Sequence, residues 1–325
     1  MGEPLRFGVI GLGVGMSRAR MVKKTEGAEL IAVCDLKEDR RRKAAEEFGC
    51  EAYEDYHRML ERDDIDVVMV MTPSGLHAKI GIDVADSGKH VIVTKPMDIT
   101  LEACDALIEA CERNGVKLMV DFGERYNPLN RRIKKALEMG AIGDPILIEV
   151  RMKWWRSDEY YIGWHGTWEL DGGGSLMNQG VHQIDLMQWF MGPVKAVCGH
   201  YGVYAHKNCE TEDLSAALVL FESGAVGTVL TTTTCPGGKT TMIQIHGTKG
   251  VIGKGPEVWE FVGEPPQIEV EPHPRNIVED AIGVIREGNQ PAVDGREGRK
   301  SVEIILAIYK SWRERRWVEL PLSGP

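Results

Sequence analysis

Residues 5–17 have the sequence LRFGVIGLGVGMS, a short apolar run followed at once by a glycine-rich turn. The apolar run Leu5–Ile10 predicts a β-strand, and a helical pattern follows it over Ser17–Thr25. Glycines at such a junction permit a tight turn and let backbone N–H groups approach a phosphate at the start of the helix. The stretch therefore predicts a strand–turn–helix unit with a phosphate site at the turn.

The same alternation of strand and helix continues through the first third of the chain. The predicted strands are short and rich in Val and Ile, and they are Leu5–Ile10, Glu29–Cys34, Val67–Met71, Val91–Thr94 and Lys117–Val120. The predicted helices between them are Ser17–Thr25, Lys37–Phe48, Leu76–Ser87 and Leu101–Asn114. Repeated βαβ units imply a doubly wound parallel sheet, so we expect an α/β Rossmann domain over residues 1–121.

The pattern changes in the remaining two thirds of the chain. A helix at Pro128–Met139 and a loop rich in aromatic residues and glycine precede a second helix, Ser175–Met191. Several longer runs then alternate between apolar and polar residues, which indicates a largely antiparallel sheet with one covered face. We therefore expect a C-terminal α+β domain over residues 122–325, with a large, mostly antiparallel open-faced sheet, that binds substrate and mediates oligomerisation.

The composition disfavours several classes of protein. The chain has 325 residues and a formal net charge of −10, which argues against nucleic acid and anionic membranes as partners. No apolar run approaches the roughly 18–20 residues that a membrane span needs, and no targeting segment is visible. The seven cysteines form no C-x-x-C pair, so we expect no zinc ribbon and no disulfide framework. A cytoplasmic protein with reduced thiols is the expectation.

The glycine-rich turn and an acidic residue downstream indicate a dinucleotide site. The turn is predicted to contact the cofactor through Gly11, Gly13, Val14, Gly15 and Met16. Its third glycine, Gly15, stands one place earlier than in G-x-G-x-x-G, where position 16 would be small. Asp35 follows Gly15 by 20 residues, where a carboxylate binds the adenosine ribose and repels a 2′-phosphate. We predict NAD as the cofactor, with NADP not excluded because three arginines follow at positions 40–42.

Two further segments carry groups suited to proton transfer. Lys95 follows the fourth predicted strand, and the carboxyl ends of parallel strands are where such sheets bind ligands. Residues 172–185 have the sequence GGGSLMNQGVHQID, in which three glycines precede a predicted helix. Asn178, His182 and Asp185 recur there at i, i+4 and i+7, on one face of an α-helix. A polar triplet on an otherwise apolar helix indicates a functional site.

Along nearly its whole length the chain resembles the glucose–fructose oxidoreductase/inositol dehydrogenase/rhizopine catabolism (Gfo/Idh/MocA) family. The marks of the resemblance in the N-terminal part are the glycine turn, Thr72-Pro73-Ser74 with His77, and Gly88-Lys89-His90-Val91 leading to Lys95-Pro96. The marks in the C-terminal part are Arg125-Tyr126-Asn127-Pro128, residues 140–145 and the segment 172–185. The stretch 154–192 is most similar to members that act on nucleotide-linked sugar uronates or related pyranosides.

The resemblance implies hydride transfer between NAD and a secondary alcohol of a sugar, polyol or nucleotide sugar, in a homodimer or homotetramer. Lys95 and His182 are then the catalytic residues, and which of them is the base stays open. Thr72, Pro73 and His77 are expected beside the nicotinamide, together with Lys95. The substrate-side candidates are Lys95, Tyr126, Arg156, Tyr160, Trp164, His165, Asn178 and His182.

Two positions depart from the family pattern. Thr94 stands where the family usually has glutamate before Lys-Pro, and Asn178 stands where the helix usually carries aspartate. A neutral amide cannot accept a proton, so proton transfer falls to Lys95 and His182.

Three alternatives share parts of the pattern. A glycosidase that retains NAD and acts by transient oxidation has the same cofactor turn. A non-catalytic NAD-binding sensor would need neither Lys95 nor His182. Metal-dependent chemistry through His182 and Asp185 lacks an evident third ligand, so we predict no metal.

Overall fold

The computed structural model describes residues 3–255, 260–262 and 266–322. The chain divides into two compact units, Met1–Gly123 with Pro274–Arg299, and Glu124–His273 with Lys300–Pro325. The sequence-based assignment placed residues 122–325 in one domain, whereas Pro274–Arg299 groups with the N-terminal unit. Backbone pairing explains this grouping, because the amide of Val120 donates to the carbonyl of Val293 at 3.0 Å.

The first unit contains a six-stranded parallel sheet, and the sequence predicts the parallel sheet and five of its strands. Its strands are β1 (Leu5–Ile10), β2 (Ala28–Cys34), β3 (Glu51–Tyr53), β4 (Val67–Val70), β5 (His90–Thr94) and β6 (Leu118–Asp121). They lie in the order β3-β2-β1-β4-β5-β6, the arrangement of a Rossmann domain. Strand β3 is absent from the prediction, because three half-exposed edge residues give no hydrophobic pattern.

Helices connect these strands. They are α1 (Gly15–Lys24), α2 (Glu38–Phe48), α3 (Tyr56–Leu60), α4 (His77–Asp86) and α5 (Leu101–Asn114). Gly49 and Gly115 follow α2 and α5 with φ of 66° and 67°, the left-handed geometry that glycine adopts without a Cβ penalty. The tight ends return the chain to the sheet, and the central strand β4 is fully buried.

The second unit contains an eight-stranded sheet in the order β13-β12-β11-β7-β10-β9-β8-β14. Its strands are β7 (Pro145–Trp155), β8 (Val194–Gly202), β9 (Leu214–Phe221), β10 (Val226–Thr232), β11 (Thr234–Gly247), β12 (Gly250–Lys254), β13 (Glu260–Phe261) and β14 (Val318–Glu319). Only the β7–β10 pair is parallel within the described residues. The predicted mostly antiparallel sheet is therefore confirmed.

Alternation along these strands separates a covered face from an open one. Ile148 and Val150 on β7 are fully buried on the covered face. Their neighbours point the other way, and on that face Leu218 of β9 is 47% exposed and Val226 of β10 is 37% exposed. The open face thus carries apolar side chains that this chain itself leaves in solvent.

The remaining helices include one departure from the prediction. They are α6 (Pro128–Glu138), α7 (Val181–Met191), α8 (Ile277–Ile282) and α9 (Gly295–Glu314). The helix predicted from Ser175 begins instead with a π-helical turn, Ser175–Gly180, and becomes α-helical only at Val181. No helix in the described part of the chain is both long and apolar enough to cross a membrane.

Candidate active site

The glycine turn lies at the C-terminal end of β1. Gly11 has φ of 89°, and a Cβ there would stand 2.6 Å from the carbonyl oxygen of Met71. A Cβ on Gly15 would stand 3.0 Å from Val9 Cγ1, so this glycine lets α1 pack closely on β1. The displaced third glycine therefore serves helix–strand packing, as the third glycine of the common pattern does.

The outer side of the turn is open. Gly13 and Val14 are exposed, and Met16 is half-buried at the start of α1. A Cβ on Gly13 would meet nothing closer than Arg40 Nη1, at 3.6 Å. Backbone N–H groups at a helix start, on an open surface without side chains, fit a pyrophosphate.

Asp35 lies beside this turn at the end of β2 and is 8% exposed. Its carboxylate accepts from the amides of Leu12 at 2.7 Å and Lys37 at 2.8 Å, and it lies 3.4 Å from Arg40 Nη1. Because a carboxylate offers about four acceptor positions, it retains capacity for a ribose hydroxyl. The negative charge at this place fits NAD.

Two of the arginines at positions 40–42 contact groups at the end of β2. Arg41 donates to the carbonyls of Asp35 and Leu36, both at 2.8 Å, and to Glu54. It therefore holds the chain after β2, while Arg40 reaches the ribose-side carboxylate. Neither contact was expected from the sequence.

Thr72 and Pro73 follow β4, and His77 begins α4. The hydroxyl oxygen of Thr72 is buried and has no hydrogen-bond partner within the part of the chain that the structure describes. His77 is 1% exposed, with Nδ1 2.9 Å from the carbonyl of Pro96 and Nε2 2.8 Å from that of Thr72. Burial lowers the pKa of His77, although both carbonyls favour the protonated ring. His77 thus ties two loops together, while the Thr72 hydroxyl is the group suited to a ligand.

Lys95 is half-buried directly after β5, and its peptide bond to Pro96 is cis. The strands β1, β4 and β5 are neighbours and parallel, so Gly11, Thr72 and Lys95 lie at one edge of the sheet. This edge carries the glycine turn, an acid and a lysine. The first unit therefore has the residues to hold NAD through Gly11–Met16 and Asp35.

In the second unit, a buried glutamate holds the glycine segment that precedes α7. Glu212 accepts from the amide of Gly174, from the amide of Leu176 at 2.7 Å and from the Tyr309 hydroxyl at 3.0 Å. A Cβ on Gly174 would stand 1.8 Å from the carbonyl oxygen of Glu212, so only glycine fits. Burial raises the pKa of Glu212 to about 8. The sequence analysis missed this residue, whose one signal is a Glu-Asp pair ahead of an apolar strand.

The helical triplet proposed from spacing separates into different roles. Both oxygens of Asp185 accept from the Arg125 guanidinium at 2.7 Å, and both side chains are almost fully buried. Losing one partner of such a pair costs about 3–5 kcal/mol, so Asp185 is a structural residue. His182 is half-buried in the first turn of α7.

Three of the eight predicted substrate-side residues form an aromatic group, which we call the aromatic platform: Tyr160, Trp164 and His165. The His165 ring stacks on Tyr160 with centroids 4.2 Å apart and lies 3.8 Å from the Trp164 ring. The guanidinium of Arg156 lies 5.0 Å from the centre of the Tyr160 ring. A partly exposed stack beside a guanidinium can hold a sugar ring and an anionic group together.

Polar groups join this platform to the π-helical turn. Gln179 Nε2 donates to the Tyr160 hydroxyl at 2.8 Å, and Asn178 Nδ2 donates to Asp171 at 2.5 Å. Tyr126 is a buried residue of the short helical turn before α6. Sequence reasoning missed Asp171 and Gln179, because neither stood out from its neighbours.

The order of the parallel sheet, the glycine turn and the acid after β2 define a dinucleotide-binding domain. Residues 5–122 match the model of an oxidoreductase family with an NAD-binding Rossmann fold, and residues 130–253 match that of the GFO/IDH/MocA C-terminal domain. The chain belongs to the GFO/IDH/MocA family, which confirms the resemblance found in the sequence.

Similar proteins are dehydrogenases of sugars and polyols. Myo-inositol 2-dehydrogenase of Thermotoga maritima is 28% identical, over 97% of this chain and 98% of the relative. The WlbA dehydrogenase of Bordetella pertussis, solved with NADH and UDP-GlcNAcA, is 32% identical with a TM-score of 0.91 over 99% of this chain and 100% of that one. The WlbA dehydrogenase of Chromobacterium violaceum, solved with the same molecules, is 32% identical with a TM-score of 0.92, over 100% and 98%. The predicted dehydrogenase activity on CH–OH groups, with NAD as cofactor, is confirmed.

Proposed function

We propose that this enzyme transfers a hydride between NAD and a secondary alcohol of a nucleotide-linked sugar, with sugar uronates as the substrate class. The observation that carries the proposal is Arg156 beside the aromatic platform. Aromatic faces bind sugar rings, and a guanidinium binds carboxylate or phosphate in a bidentate fork. Two similar dehydrogenases solved with NADH and UDP-GlcNAcA support this choice over a simple polyol.

In the proposed mechanism, Lys95 or His182 accepts the proton of the substrate hydroxyl. Bound NAD+ supplies the hydride acceptor. As the carbinol C–H bond breaks, the O–H proton passes to one of these two residues, and a cationic lysine stabilises the developing alkoxide oxygen. Asn178, fixed by its hydrogen bond to Asp171, holds a substrate hydroxyl.

The test compares wild type with Lys95→Ala and His182→Ala. With NAD+ and UDP-GlcNAcA, and with myo-inositol as the polyol probe, NADH formation is followed by absorbance. Each variant is expected to lose turnover by at least about 100-fold, because positioned acid–base groups contribute 10²–10⁴-fold. Both variants should bind NAD+ like wild type.

Unchanged turnover in both variants would refute the assigned roles. Turnover of myo-inositol alone would refute the nucleotide-sugar class. Release of an aglycone without net NADH would instead identify the glycosidase alternative.

We also propose that the chain assembles as a homodimer or homotetramer through the open face of the eight-stranded sheet. The exposed Leu218 and Val226 lie on neighbouring strands of that face. A second copy of the same face would remove both from water.

A further inference from the structure

Asp171 is a buried carboxylate beside the aromatic platform, and it contacts residues of the proposed mechanism without touching the substrate itself. Asp171 is 1% exposed and directly precedes the glycine segment. Its Oδ1 accepts from Asn178 Nδ2 at 2.5 Å, and its Oδ2 accepts from the Gly166 amide at 2.8 Å. Oδ2 also lies 3.8 Å from His165 Nδ1. The carboxylate of Asp171 therefore lies next to two substrate-side candidates, Asn178 and His165.

The chemistry of these contacts fixes the orientation of Asn178. An ionised carboxylate only accepts hydrogen bonds, so the amide nitrogen of Asn178, and not its oxygen, must face Asp171. The amide oxygen is then turned away from Asp171, where it accepts from Gln179 Nε2 at 3.3 Å, and its second lone pair can accept from a hydroxyl. Without the carboxylate, the amide would lose the contact that specifies its nitrogen end, and the contact of Gln179 Nε2 with its oxygen end would remain.

The same carboxylate acts on the platform. His165 Nδ1 lies 3.4 Å from Asn178 Nδ2, and the other side of the ring stacks on Tyr160. Asp171 also binds the amide of Gly166, the residue after His165. The backbone that carries the imidazole is thereby held by the group that orients Asn178.

We propose that Asp171 is a positioning residue for the reaction, acting through Asn178 and His165 to orient an acceptor oxygen and a stacking ring toward the sugar. This inference rests on the proposed function. It adds that the π-helical turn carries a neutral amide, Asn178, and that the negative charge beside this amide belongs to Asp171 in the preceding loop. Because a charge-assisted hydrogen bond is about twice as strong as a neutral one, an amide at position 171 should not replace the carboxylate.

The decisive experiment is an exchange of the two side chains. In Asp171→Asn, one amide must satisfy both Asn178 and the Gly166 amide, and one donor is left opposed to a donor. In Asn178→Asp, the new carboxylate is placed against the Asp171 carboxylate, at about the 2.5 Å that now separates Asn178 Nδ2 from Asp171 Oδ1. In the double variant, the amide introduced at position 171 can accept from the Gly166 amide and donate to the carboxylate introduced at position 178. Both hydrogen bonds and the net charge then return.

We expect kcat/KM for UDP-GlcNAcA to fall roughly 10- to 100-fold in each single variant, since small misplacements of positioning groups have costs of this size. The double variant should recover to within about fivefold of wild type, because contacting pairs are non-additive. NAD+ affinity should be the same in all four proteins. Glu169→Gln, which removes an exposed carboxylate two residues away, is the matched control and should match wild type.

Two results would overturn the inference. One is wild-type kcat/KM per folded molecule in Asp171→Asn. The other is a double variant no more active than the weaker single variant, because a merely structural residue would show lowered thermal stability without this rescue.

A second readout keeps the inference separate from the substrate proposal. In the NMR spectrum of the NAD-loaded protein, the side-chain amide protons of Asn178 should resonate at positions shifted by the carboxylate and exchange slowly. Asp171→Asn should move them and speed their exchange. If no sugar probe is turned over but the NMR change is seen, only the substrate class is refuted. If the amide resonances of Asn178 do not change in Asp171→Asn, the role of Asp171 is refuted.

Discussion

Asp35 combines two tasks at the scale of a single residue. Its carboxylate accepts from the Leu12 amide of the glycine turn and is placed where the adenosine ribose is expected. Arg40, 3.4 Å away, supplies a positive charge that a 2′-phosphate could use once the carboxylate is gone. The cofactor preference therefore depends on the balance of these two charges.

We expect Asp35→Asn to shift this balance toward NADP. Removing the negative charge takes away both a ribose acceptor and a source of phosphate repulsion, so the ratio of kcat/KM for NADP+ to that for NAD+ should rise about 10-fold or more. Glu54→Gln, which removes an exposed carboxylate paired with Arg41, serves as control. An unchanged ratio in Asp35→Asn would exclude Asp35 as the ribose-binding acid.

Glu212 is expected to give the stability of the protein a pH dependence. Burial raises the pKa of Glu212 from 4.5 to about 8. Between these values the folded state binds a proton that the unfolded chain has released, so the free energy of unfolding should fall as pH rises and level off above about 8. Glu212→Gln should remove this part of the slope.

Denaturant unfolding at pH 5, 6.5 and 8 measures the effect. The difference in stability between wild type and Glu212→Gln should change steadily over this range, while Glu222→Gln, at an exposed position, should follow wild type. Parallel curves for wild type and Glu212→Gln would contradict the prediction.

At the scale of an element, the π-helical turn Ser175–Gly180 is the feature that local patterns do not specify. A π-helix is rarely favoured by its own sequence, and it occurs often at functional sites. Here the contacts of Glu212 with Gly174 and Leu176 hold its first residues. The geometry of the turn thus depends on a residue of the loop before β9, 36 residues after Leu176 in the chain.

Gly174→Ala tests how closely this element depends on its neighbour. The added Cβ would stand 1.8 Å from the backbone oxygen of Glu212, so the loop before β9 or the turn must move. We expect a loss of about 2–3 kcal/mol in stability together with reduced turnover. Gly123→Ala, whose Cβ would meet nothing within 4 Å, should cost far less. Equal melting temperatures of the two variants would show that the turn is more adaptable than its contacts indicate.

At the scale of the whole molecule, the open face of the eight-stranded sheet is the surface through which we expect copies of the chain to associate. Residues along each strand alternate between the covered face and the open face, and the open face exposes Leu218 and Val226 to solvent. Antiparallel sheets can leave one face wet, but an apolar patch on that face is a common site of association.

Leu218→Glu should therefore shift the protein toward a smaller species in sedimentation velocity. Burying a charge at a symmetric contact brings two like charges together, so the assembly should weaken by at least about 10-fold in dissociation constant. Leu129→Glu, a change at an exposed position of α6, should leave the sedimentation unchanged. A wild type that sediments as a monomer would refute the proposed interface.

The fold was largely predictable because its evidence is local. The buried runs of β1, β2, β4, β5 and β6 and the glycines that end α2 and α5 each leave a signal within a few residues. Strand β3 was missed because it is too short for a pattern. Asp171 was missed as a site residue because an aspartate in a loop is ordinary until its partners are known.

The sequence alone was sufficient for the βαβ order and the glycine turn after β1, since these depend on periodicity and on backbone geometry that only glycine permits. The family followed from the resemblance of short motifs along the chain. The tertiary structure alone revealed the pairing of Arg125 with Asp185, of Gly174 with Glu212 and of Asp171 with Asn178. The first two pairs join positions 60 and 38 residues apart. Asp171 and Asn178 are only seven residues apart, but they meet only because the intervening glycine segment and π-helical turn fold the loop back on itself. Contacts of these kinds follow no sequence period, so folding is what brings together the charges that orient the site.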